Sequence, residues 1–159
     1  MVEIDRVLPP INIIFEGNLD ISEIYHIIKD FLKDKKCDIY EKEHNFNDGK
    51  LKIKWEGEEN INDYMQFLLK VTLNGSKMKK VKLKDKEVFS GKFNFEIEAE
   101  IHRDYQDYYE GKPVIKFFKE LFDFTVKKDE TLKLSNQLKE QAYSLFDEIK
   151  AYLGLQKLK

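Results

Sequence analysis

Between Val88 and Arg103 the side chains alternate without a break: Phe89, Gly91, Phe93, Phe95, Ile97, Ala99 and Ile101 fall on one side, and Ser90, Lys92, Asn94, Glu96, Glu98, Glu100 and His102 on the other. A period of two sustained over such a run is a β-strand with one dry and one wet face. At about 3.3 Å per residue it spans roughly 50 Å, too long to stay flat over a small domain, so its sheet is expected to curl, with Gly91 as the bend. The dry face needs a cover. Leu134, Leu138, Ala142, Leu145, Ile149 and Tyr152 supply one, as the stripe of an amphipathic helix over Thr131 to Leu153, roughly 34 Å long. Asp129 is its expected N-cap and Gly154 its expected stop.

Upstream, Met1 to Pro10 reads as an extended lead-in, because Pro9-Pro10 continues neither regular structure. Ile11, Ile13 and Phe15 then alternate with polar neighbours as a short first strand. Asp20 followed by Glu23 has the spacing of a capping box, and Ile21, Ile24, Ile28, Phe31 and Leu32 share one face of a helix predicted to end near Lys36. Asp38 to Trp55 reads as a hairpin about a two-residue Asp48-Gly49 turn. That turn sets Phe46 opposite Leu51, His44 opposite Ile53, Lys42 opposite Trp55 and Tyr40 opposite Gly57. Two further turns, Asn74-Gly75-Ser76 and Asp85-Lys86-Glu87, keep Met65, Phe67, Leu69, Val71, Leu73, Val81 and Leu83 on the dry side, and leave Lys80, Lys82 and Lys84 on the wet one.

The predicted fold class is therefore α+β: a curved antiparallel sheet of about six strands, a strand and a helix followed by a five-stranded meander, gripping a long C-terminal helix. One domain spans residues 1–159, with the strand, helix and meander at 11–103, an apolar insert at 104–128 and the helix at 129–153. Within the insert, Val114 to Phe124 is apolar on nearly every side, so it needs cover within the fold or a partner outside it.

Lys and Arg number 28 against 30 Asp and Glu, a formal charge of −2, so no overall field draws the chain to nucleic acid. The single cysteine, Cys37, forms no internal disulfide and points to a reducing, cytoplasmic setting. No apolar run is long enough to cross a bilayer.

In its order of elements, from Ile11 to Leu153, the chain resembles the helix-grip proteins of the START and Bet v 1 superfamily. It departs from them in having one helix where they commonly have two short ones, six predicted strands where they often have seven, and the extra segment Val114 to Phe124. The resemblance implies a cavity between sheet and final helix, which relatives use for lipids, hormones or polyketides; others act as cochaperones or handle coenzymes. No catalytic motif of the family is present to carry over.

Among single residues, His44 stands out because the hairpin register turns it indoors beside Tyr40, Lys42 and Trp55, where an imidazole can bind a ligand's polar end. The plainer reading is a histidine bonded to a neighbour or lying at an exposed strand end. His26, His44 and His102 lack metal-ligand spacing, no glycine loop cradles a phosphate, and no nucleophile and base can be paired, so no catalytic residue, metal or cofactor is assigned. Glu96, Glu98 and Glu100 read as wet-face partners for lysines of the next strand. Lys77, Lys79, Lys80, Lys82 and Lys84 form the one dense basic patch; Lys80, Lys82 and Lys84 share its outer face, within reach of RNA, but no aromatic residue is interleaved among them.

The expected function is a non-catalytic binding domain that takes an apolar small molecule or lipid, lined by Tyr40, His44, Trp55, Phe95 and Ile97. The alternative is a protein-interaction module, a homodimer or a ribonucleoprotein adaptor, working through Tyr105, Tyr108, Tyr109, Phe117, Phe118 and the three lysines.

Overall fold

Alternation of apolar and polar residues gives the chain its strands, and the computed structural model describes residues 3–62, 64–103 and 128–157. In chain order these form β1 (Glu3–Leu19), α1 (Ile21–Asp34), β2 (Asp38–Asn47), β3 (Lys50–Asn60), β4 (Met65–Leu83), β5 (Lys86–Arg103) and α2 (Lys128–Lys157). The strands make one antiparallel five-stranded sheet in the order β1-β5-β4-β3-β2. The fold is thus α+β, an open antiparallel sheet with a C-terminal helix.

The long alternating run is β5, central between β1 and β4. Its dry residues Phe93, Phe95, Ile97, Ala99 and Ile101 are at most 1% exposed. They meet Leu51, Ile53, Trp55, Phe67, Leu69, Val71 and Leu73 of β3 and β4 in one core with Leu138, Ala142, Leu145, Ile149 and Leu153 of α2. Helix α2 packs mainly over β1 and β5, and α1 over β2. Both helices cover the same face, since Tyr25 of α1 meets the Trp55 ring edge-on at 5.5 Å and Tyr152 of α2 bonds Glu23 of α1. Asp20 caps α1 as its spacing predicts, accepting from the N–H groups of Ser22 and Glu23 at 3.0 and 3.3 Å.

Among the described residues the sheet has five strands rather than six, because Asn74-Gly75-Ser76 is not a turn. Asn74 and Gly75 are paired on both sides, with Lys52 and Leu51 of β3 and with Asn94 and Phe93 of β5. The irregularity falls just after them: Lys77 takes φ 53, the register to β5 shifts between Ser76 and Lys79, and the Met78 N–H donates to the Gly49 carbonyl at 3.0 Å. This is a β-bulge. Gly75 is there for space, because a Cβ at that position would lie 2.7 Å from Met78 Sδ. A glycine inside a strand pattern signals a bulge as readily as a turn.

The next turn is correspondingly shorter than expected: Lys84 and Asp85 both have positive φ, and Leu83 pairs with Lys86. Lys80 consequently lies opposite Phe89, and Lys82 opposite Glu87. That is the face Phe89 shares with Phe93, the reverse of the predicted placement; the β4 lysine that answers the acidic row is instead Lys70, opposite Glu98 and 3.2 Å from Glu100.

Strand β1 begins at Glu3 and runs through Pro9-Pro10. It can do so because it is an edge strand with register shifts between Arg6 and Leu8 and between Leu8 and Ile11, the setting in which proline is tolerated. In α2, Asp129 lies inside the helix and Gly154 does not stop it. The expected Val114 to Phe124 segment, with Tyr105, Tyr108, Tyr109, Phe117 and Phe118, lies outside the described residues. Among the described residues no helix is long and apolar enough to cross a membrane.

Candidate functional site

The hairpin of β2 and β3 starts in the predicted register, with Phe46 opposite Leu51 and His44 opposite Ile53. A bulge between Glu41 and Glu43 then moves every later pair by one: Glu41, not Lys42, faces Trp55, and Tyr40 faces Glu56. Residues three apart on a regular strand point to opposite faces. With the extra residue between them, Glu41 and His44 share one face, the helix-covered one.

There a polar chain forms along the margin of the core. The Tyr25 hydroxyl donates to Glu41 Oε2 at 3.0 Å, and Glu41 Oε1 lies 2.8 Å from His44 Nδ1. Helix α1 supplies Tyr25, whose ring bridges the polar rim and the apolar floor: Trp55 lies against one edge, and Lys29 Nζ sits 5.1 Å from its centroid. Trp55 itself is 1% exposed, and its Nε1 has no hydrogen-bond partner among the described residues. A buried donor left unpaired costs about 1–3 kcal/mol, so an acceptor arriving beside it is rewarded.

The arrangement suits orientation more than reaction. The Tyr25 hydroxyl holds the Glu41 carboxylate, and that carboxylate in turn orients the imidazole through Nδ1. The His44 side chain is 52% exposed and that of Glu41 35%.

Of the residues expected to line a cavity, Trp55, Phe95 and Ile97 are in the core. His44 is on the same face but at its exposed margin. Tyr40 turns to the opposite face, where Lys42 Nζ lies 5.1 Å over its ring; the bulge is what separates it from Trp55. Tyr25 and Glu41 had no sequence signal, since α1 reads as a core stripe and β2 as a regular strand.

Two further charged clusters stand apart. On the outer face Glu100 is 5% exposed and bonds His102 Nε2 at 2.9 Å and Lys70 Nζ at 3.2 Å. Burial pushes its carboxyl up, but these two bonds outweigh it and hold the group below the usual carboxylate range. The second cluster joins Asp20, Glu23, Lys86 and Tyr152. No protein-family model matches the chain, and no curated protein matches it significantly.

Proposed function

We propose that this protein is a non-catalytic binding domain of helix-grip type, which takes an apolar small molecule or lipid tail between the sheet and its helices. Tyr25, Glu41 and His44 form the polar mouth, and the Trp55 indole N–H meets an acceptor such as a ligand carboxylate or carbonyl. The observation that carries this reading is the buried, unpartnered Nε1 of Trp55 beside that polar rim. Pockets for small molecules are characteristically apolar, with a few convergent polar groups.

Trp55 is the only tryptophan, so its fluorescence reports on the site directly. Titration with oleate is expected to shift Trp55 emission saturably, and native mass spectra to retain one oleate per chain. Trp55→Phe, read by native mass spectrometry, is expected to weaken retention about fivefold, the worth of one hydrogen bond of roughly 1 kcal/mol. An unchanged emission spectrum together with ligand-free mass spectra would overturn the proposal.

A further inference from the structure

Strand β2 is the last in the sheet, and no strand among the described residues pairs with its outer side. Nine of its ten residues are charged, polar or aromatic, and eight of the ten are exposed. Open edges are commonly blunted by charges and bulges. Here the charges and the bulge together make the edge complementary to itself.

Place a second copy antiparallel to β2 about a two-fold axis between Lys42 and Glu43. The residues that meet are Lys42 with Glu43, Glu41 with His44, Tyr40 with Asn45 and Ile39 with Phe46. Every pair must also join residues of one face if the sheet is to continue. On the inner face, Ile39, Glu41, His44 and Phe46 lie opposite Gly57, Trp55, Ile53 and Leu51 of β3. On the outer face, Tyr40, Glu43 and Asn45 lie opposite Glu56, Lys54 and Lys52, and Lys42 reaches Glu56 at 3.8 Å.

Each pair therefore stays on its own side. In a regular strand the same register would set every inner residue against an outer one; the residue inserted between Glu41 and Glu43 removes the conflict. A register centred on Lys42 instead would oppose two lysines. The chosen register contains no like-charge pair, and it counts each Lys–Glu and Glu–His contact twice across the axis. The other sheet edge, β1, offers nothing comparable: it is broken by two register shifts around Pro9-Pro10.

We infer that β2 is the interface of a homodimer in which one antiparallel sheet runs continuously through two copies of this chain. Its partner is a second copy because the strand's charges complement each other in one register, and that register is the one the bulge permits.

The test is the molar mass of the full chain in solution, by analytical ultracentrifugation, for the wild type, Lys42→Glu, Glu43→Lys, and an equimolar mixture of the two variants. The wild type is expected to be a dimer. Each variant alone sets like charges opposite each other at the axis, and is expected to raise the dimer dissociation constant about tenfold or more. In the mixture, both central positions of the Lys42→Glu chain carry carboxylates and both of the Glu43→Lys chain carry ammonium groups. Opposite charges then meet at each crossing of the axis, so dimers are expected to return. A misfolded variant could not be rescued by mixing, and far-UV circular dichroism checks each one. A monomeric wild type, a dimer indifferent to either substitution, or a mixture that stays monomeric would overturn the inference.

Discussion

The Tyr152 hydroxyl donates to Glu23 Oε2 across 2.6 Å, fastening the last turns of α2 to the first turn of α1. Lys86, at the start of β5, completes the knot, with Nζ 2.6 Å from Asp20 and 2.5 Å from Glu23. Two helices and the β4–β5 hairpin thus meet at one charged point. Asp20 has two tasks there, capping α1 through its backbone N–H groups and anchoring Lys86.

This knot gives folding stability a defined pH dependence. Burial raises the Asp20 carboxyl, but bonds from Lys86 and from the Glu23 and Ser22 N–H groups outweigh it and leave it below its ordinary 3.8. Glu23 is held below its ordinary 4.5, first by Lys86 and then by Tyr152. Carboxyls depressed in the folded state stabilise it above their unfolded values and lose that contribution as the pH falls through the folded ones. For Tyr152 burial, then the bond to Glu23, pushes the phenol well above its ordinary 10.0. Its contribution is complete below that value and lost as the pH rises beyond it. Urea midpoints are expected to form a plateau that falls at both ends. Tyr152→Phe should remove its part of the alkaline fall and lower stability by about 1–2 kcal/mol at neutral pH.

Two glycines in the sheet should respond to the same substitution in different ways. An alanine Cβ at Gly57 would lie 2.7 Å from Leu32 Cδ2 and 3.2 Å from Cys37 Cβ, side-chain atoms of α1 and of the short connection that follows it. At Gly91 it would lie 2.8 Å from the Ser76 carbonyl oxygen, which belongs to the backbone of the bulge. Each change should cost about 1–3 kcal/mol. Adding Leu32→Val should recover part of the loss from Gly57→Ala, whereas Met78→Ala should recover little from Gly91→Ala. Chemical denaturation of the single and double variants measures both.

Periodicity made the two halves of the core legible, because burial of one face leaves a regular trace: β5, the α2 stripe, the Asp20 cap and the Asp48-Gly49 turn all follow from it. Irregularities leave weaker traces. Nothing in Glu41-Lys42-Glu43 distinguishes a bulged strand from a regular one, yet that residue decides that Glu41 rather than Lys42 stands over Trp55. At Asn74-Gly75-Ser76 the local chemistry favours a turn, but pairing with strands on both sides overrides it. The candidate site was half visible for the same reason. Trp55, Phe95 and Ile97 follow from alternation, while Tyr25 meets Glu41 only through the packing of α1 on β2.

Cys37 is expected to be an unreactive thiol. Burial first, then the charges of Glu59 and Asp38, push its pKa up to about 11, so little thiolate exists at pH 8, and thiolate is the species that alkylates. Iodoacetamide labelling of the native protein should run more than about tenfold slower than that of the urea-unfolded chain. Comparable rates in the two states would show that the β2 end of α1 opens freely.

Gly154 offers the opposite case, a glycine the fold does not need. It lies inside α2, which continues to Lys157, and a Cβ built there meets nothing within 4 Å. The preceding Leu153 is buried at 4%, so packing already holds this turn of helix in place. A glycine in a helix interior is less favourable than alanine by about 0.5–1 kcal/mol, chiefly because the unfolded chain is freer. Gly154→Ala should therefore raise the unfolding free energy by that amount without altering the core. A urea midpoint that falls instead would mean that the last turns of α2 need the freedom glycine provides.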